Sequence, residues 1–83
     1  MEIQRIKSIK PLPNFLLLVL FDDGKQVIYD VKDDFNLPEY DLLRTVEGLF
    51  NQVRLDKSRT CVYWNQSIDL PSDILYDYGK QLG

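Results

Sequence analysis

A chain of 83 residues, 45% apolar and 28% charged, has the make-up of one globular domain over residues 1–83 and excludes a disordered polymer. Its net charge of −3 argues against a nucleic-acid binder, whose phosphate contacts need clustered Lys and Arg, and the absence of His removes the commonest general base and metal ligand together. The single Cys61 rules out an internal disulfide and points to a reducing cytoplasm, while the longest apolar run is too short for the about twenty residues of a membrane helix.

Residues 2–10, "EIQRIKSIK", read as a strand. Ile3, Ile6 and Ile9 break strict alternation, so a bulge is expected, and Arg5, Lys7 and Lys10 suit an edge. "PLPN" ends it, because neither proline can donate a ladder hydrogen bond. "FLLLVLF", residues 15–21, reads as a central strand covered on both faces. Asp23-Gly24 marks a tight hairpin turn whose central residues both favour positive φ. The return strand is "KQVIYDV", with Val27, Tyr29 and Val31 on one face and Ile28 on the other.

Pro38 opens a short helix, with Asn36 as a cap near it and Tyr40, Leu43 and Val46 on its apolar side. Glu47 to Phe50 reads as a further helical turn. "QVRLD" and "TCVYW" form a second hairpin around "KSR". A helix from about Pro71 to Leu82 closes the chain, with Ile74, Leu75, Tyr78 and Leu82 inward. The expected fold is α+β in the order βββαββα: an antiparallel three-stranded meander, a short helix, a second β-hairpin and a C-terminal helix.

Trp64, Asn65, Asp69, Asp73 and Tyr76 form the first candidate site, either a patch for a partner or the machinery that ends a strand and starts a helix. On the structural reading Trp64 packs under the last helix, residues 65–67 turn the chain, and Asp69 or Ser72 caps the helix while Asp73 meets its positive end. Arg54, Lys57 and Arg59 make a basic hairpin tip with Tyr63 near enough to stack on a base. Asp33, Asp34, Glu39 and Asp41 crowd the middle segment without calcium-loop spacing, so a solvated acidic surface accounts for them. Cys61 and the serines lack a histidine base, and the isolated glycines make no phosphate loop. No catalysis, metal or cofactor is expected.

"FDDGKQVIYDV", "LFNQVRLD" and "VYWNQSIDLPSDILY" occur in that order over nearly the whole chain. Together they resemble the small bacterial family known as domain of unknown function 2442. Where that family usually has Pro-Asn-Gly after the tryptophan, this chain has Asn65-Gln66-Ser67, and its Pro71-Ser72 reverses the family's Ser-Pro. The resemblance implies the α+β fold and carries no agreed activity. Relatives fused to a helix-turn-helix domain, or encoded beside another small protein, imply regulatory or antitoxin-like partnering.

The expected function is a small cytoplasmic protein-interaction domain, regulatory or antitoxin-like, that binds another small protein. The alternative is a nucleic-acid-associated regulator acting through the basic tip. The two faces of "FLLLVLF" also lead to an expected homodimer contact through a sheet face or an edge strand, unless the hairpin of residues 52–64 folds over that face.

Overall fold

The computed structural model describes residues 4–65 and 68–82. In chain order the elements are β1 (Ile6–Leu12), β2 (Leu16–Phe21), β3 (Gln26–Asp30), α1 (Pro38–Thr45), β4 (Arg54–Leu55), β5 (Cys61–Asn65), β6 (Ile68–Pro71), α2 (Ser72–Tyr78) and β7 (Lys80–Gln81). They build an antiparallel four-stranded sheet, β1-β2-β3-β7, and an antiparallel three-stranded sheet, β4-β5-β6. The fold is α+β on antiparallel hairpins, as the sequence leads one to expect, with β6 and β7 added.

β1 runs through Pro11 to Leu12 instead of stopping at the prolines. It is an edge strand, so the missing N–H of Pro11 leaves no gap in the ladder. The expected irregularity is a register shift between Ile6 and Ser8. Glu2 and Ile3, expected at the start of this strand, lie outside the described residues.

The Pro13–Phe15 turn holds both Asn14 (φ 66°) and Phe15 (φ 61°) in the left-handed region. Asn tolerates that region, whereas a bulky aromatic is strained in it. Phe15 is held there by edge-to-face packing on Phe35 at 5.2 Å and Phe50 at 5.4 Å between centroids. At the next hairpin only Gly24 takes positive φ, at 92°. The Phe21 carbonyl accepts from Gly24 N–H at 3.0 Å, and Phe21 N–H donates to the Lys25 carbonyl at 2.9 Å. This loop suits a type I turn with a left-handed Gly, in place of the mirror-image turn expected from Asp-Gly.

The core lies between the sheets. Leu17, Val19 and Phe21 of β2, Val27 and Tyr29 of β3, Val62 and Trp64 of β5, and Ile68 and Leu70 of β6 are buried together with Leu43 of α1 and Leu75 of α2. Both helices and the second sheet thus serve one face of β2. The strand is not covered on both faces, and the hairpin of residues 52–64 completes the same core side instead of the other. α1 starts at Pro38 with no side-chain cap, so Asn36 does not cap it. Leu43 is its buried residue, and Val46, past the helix end, is 46% exposed. The helical turn expected at Glu47–Phe50 sits later, as a 3-10 turn at Phe50–Gln52.

Tyr29 is a buried core residue whose hydroxyl donates to Asp34 Oδ2 at 2.6 Å. Burial, then that carboxylate, pushes its ionisation above the ordinary tyrosine range. Because the folded value lies above the unfolded one near 10, its contribution is whole below about pH 10 and is lost as pH rises through the folded value. Tyr29→Phe should therefore flatten the alkaline limb of stability measured by urea unfolding across this range. An unchanged limb would contradict the coupling.

Candidate functional site

The five residues of the first candidate site occupy separate structural positions. Trp64 is 6% exposed, stacks on Phe50 at 6.0 Å between centroids and donates from Nε1 to the Phe50 carbonyl at 2.9 Å. Its ring partner is Phe50, in the 3-10 turn ahead of β4, and it shares the buried core with Leu75 of the last helix. Asp69 pairs with Tyr63 across β5 and β6, on the face opposite the alternating Trp64, Ile68 and Leu70. Its carbonyl accepts from the Tyr40 hydroxyl at 2.5 Å. Asn65 Oδ1 accepts from Ile68 N–H at 3.0 Å; Gln66 and Ser67 of the expected turn lie outside the described residues.

α2 begins at Ser72 and has no side-chain cap, so neither Asp69 nor Ser72 plays the expected role. Asp69 belongs to β6, whose last residues run straight into the helix. Ser72 N–H donates to the Thr60 carbonyl at 2.8 Å, while Asp73 Oδ1 accepts from Ile74 N–H at 2.9 Å. The Ser72 hydroxyl is buried without a hydrogen-bond partner among the described residues. Ser72→Ala removes that unmet group and should raise stability by about 1 kcal/mol. A lower urea midpoint for the variant would show that the hydroxyl has a partner.

Tyr76 locks α2 to the β2–β3 hairpin. Its ring packs edge-to-face on Phe21 at 4.9 Å, and its hydroxyl donates to Asp23 Oδ2 at 2.7 Å. Lys25 Nζ lies 3.8 Å from the ring centroid and donates to the Tyr76 carbonyl at 3.0 Å. The Tyr76 hydroxyl holds the Asp23 carboxylate below its ordinary range, and Asp23 in turn raises the tyrosine.

The basic tip is mixed in charge. Arg59, in the left-handed region at φ 60°, places its guanidinium 2.9 Å from Asp22 Oδ1, and its carbonyl accepts from Ile6 N–H at 2.7 Å. It thus pins the tip to the four-stranded sheet. Arg54 and Lys57 are exposed, but Asp56 stands between them in sequence, held below the usual carboxylate range by the Ser58 hydroxyl and N–H. Burial, then Asp56 and Asp69, pushes the Cys61 thiol up, away from the reactive thiolate.

The outer face of the four-stranded sheet is different in kind. The ladder places Lys10, Leu18, Ile28 and Lys80 in one row across all four strands. The rows on either side are Ser8, Leu20 and Gln26, and Leu12, Leu16 and Asp30. Leu82 N–H continues past β7 to the Gln26 carbonyl at 2.9 Å, and Leu82 is 39% exposed. Leu16, Leu18, Leu20 and Ile28 are only half-buried at the centre of a sheet, and none joins the core cluster. At the β3 side a groove of about 620 Å³ runs on from Ile28, Asp30 and Lys80 to Asp33, Asp34 and Tyr78. The apolar centre was visible in the sequence. The flank made by Lys80 was not, because residues 80–82 read as the last turn of a helix.

The family model of a protein of unknown function, DUF2442, matches residues 6–81, which takes in every strand and both helices just described. The chain belongs to DUF2442. Membership agrees with the resemblance carried by the three sequence blocks and adds no activity to it. Neither the curated proteins nor the solved structures include a match to this DUF2442 chain. Among the described residues, no group of three His, Cys, Asp or Glu side chains is placed to hold a metal ion, and no helix is long and apolar enough to cross a membrane.

Proposed function

We propose that this domain is a non-catalytic protein-interaction module that works through the outer face of its four-stranded sheet. One observation carries the reading: Leu16, Leu18, Leu20 and Ile28 lie together at the centre of the sheet yet stay outside the core. Contiguous apolar surface on a small acidic domain lowers its solubility unless a partner covers it. The work of such a domain is to occupy another protein, which suits a regulatory or antitoxin-like role in the reducing cytoplasm that the lone cysteine points to. The tip is the weaker candidate. Two exposed cations with an ionised Asp56 between them neutralise too few phosphates for firm nucleic-acid binding.

Site-directed photocrosslinking in cells of the native host tests this reading. A crosslinker at position 18 should capture a discrete protein band that a crosslinker at position 57 does not. Capture from position 57 alone, or of nucleic acid there, would overturn it.

A further inference from the structure

We infer that the outer face receives one amphipathic helix of another protein, with an apolar stripe flanked by carboxylates. This rests on reading that face as the working surface, and it names the occupant from size and charge. The three rows cover roughly 19 Å by 20 Å, counting four strands at about 4.8 Å and three rows at about 6.8 Å each. That is well short of the about 800 Å² that each side of a stable, standard-size dimer buries. A helix with side chains is about 10–12 Å across, and roughly 13 residues at 1.5 Å each span 20 Å. One short helix therefore fits where a second sheet would overhang.

Charge decides what that helix carries. Lys10 on β1 and Lys80 on β7 stand at the two ends of the row that holds Leu18 and Ile28 at its centre. Three strand spacings separate their backbone positions, roughly 14 Å, so one lysine is carried on each side of a helix laid over β2 and β3. A stripe bordered by Glu or Asp would meet a lysine on both flanks. At that row a stripe bordered by Lys would meet like charge on both. Asp30, one row along on β3, is already paired with Lys32 at 3.1 Å, and Asp33 and Asp34 follow β3 in the groove beyond.

The test uses the full chain, labelled with ¹⁵N, and two synthetic helical peptides of about fourteen residues. Both carry the same Leu stripe, bordered by Glu in one and by Lys in the other. The Glu-bordered peptide should shift the amide signals of β2 and β3 and bind about tenfold more tightly, the size two exposed ion pairs supply. The domain's own charge of −3 favours the opposite order, so this result cannot come from net charge alone. The exposed-site double variant Lys10→Glu/Lys80→Glu should reverse the preference, and raising the salt should shrink it. Equal binding of both peptides, a Lys-bordered preference, or shifts confined to other elements would overturn the inference. Sedimentation showing a dimer that Leu18→Gln disrupts would assign the face to a second copy and also overturn it. If position 18 crosslinks a partner while the peptides show no charge preference, the interaction reading stands and the acidic helix falls.

Discussion

Trp64→Ala is expected to cost about 3–5 kcal/mol, the range for removing a large buried aromatic. At about 0.05–0.15 kcal/mol per residue, the whole domain has roughly 4–12 kcal/mol to lose, so much of the variant population should be unfolded at 37 °C. Two losses combine. The ring leaves a void beside Phe50, and the Phe50 carbonyl loses the 2.9 Å hydrogen bond from the indole. Phe50 also supports strained Phe15, so the damage should spread to the β1–β2 turn. Trp64→Phe keeps most of the stacking and loses only the donor, and should fall between the two. Urea unfolding measures the series. An alanine variant with the wild-type midpoint would show that Trp64 does not hold the core.

Gly79→Ala should have the next largest effect, for a reason that has nothing to do with backbone freedom. Gly79 has φ −69°, which any residue adopts. A Cβ there would lie 2.6 Å from the Leu75 carbonyl oxygen and 2.8 Å from Val27 Cβ and Cγ2. One neighbour is helix backbone and the other is a stiff, fully buried β-branched side chain, so neither can give way cheaply. Overpacking of this kind costs about 1–3 kcal/mol. At roughly 4–8 °C per kcal/mol for a domain this size, thermal unfolding should show a drop of at least several degrees. The displaced segment carries β7, so the flank made by Lys80 should loosen first, as faster amide exchange at residues 80–82. An unchanged melting temperature would contradict the close packing.

How much of this was legible in the sequence depends on the length of the pattern. "FLLLVLF" marked β2 because proline and Asp-Asp-Gly bracket a run too short for a helix. That run could not say how many faces are covered, since a strand apolar on both sides looks the same whether its second face meets a helix or solvent. β6 and β7 escaped notice because four-residue and two-residue strands have no readable period and exist only through pairing with β5 and β3. Tyr78-Gly79-Lys80-Gln81-Leu82 looked like a helix end, since Gly79 as the close-contact residue is defined by Val27, more than fifty positions away. Phe15 carries no local signal for positive φ; only its aromatic neighbours place it there. The candidate residues around Trp64 were spread over two faces by a period-two alternation that became visible only once residues 68–71 proved to be a strand.

Use of the outer face of the four-stranded sheet as the binding surface is the proposal on which the rest depends. Its most direct test is quantitative pull-down from the native host, comparing the wild type with Leu18→Gln/Ile28→Gln at matched melting temperature. A partner retained by the wild type should be lost from the variant and still retained by a control changed at the tip, Arg54→Gln/Lys57→Gln. Undiminished capture by the outer-face variant, with loss from the tip variant, would contradict it.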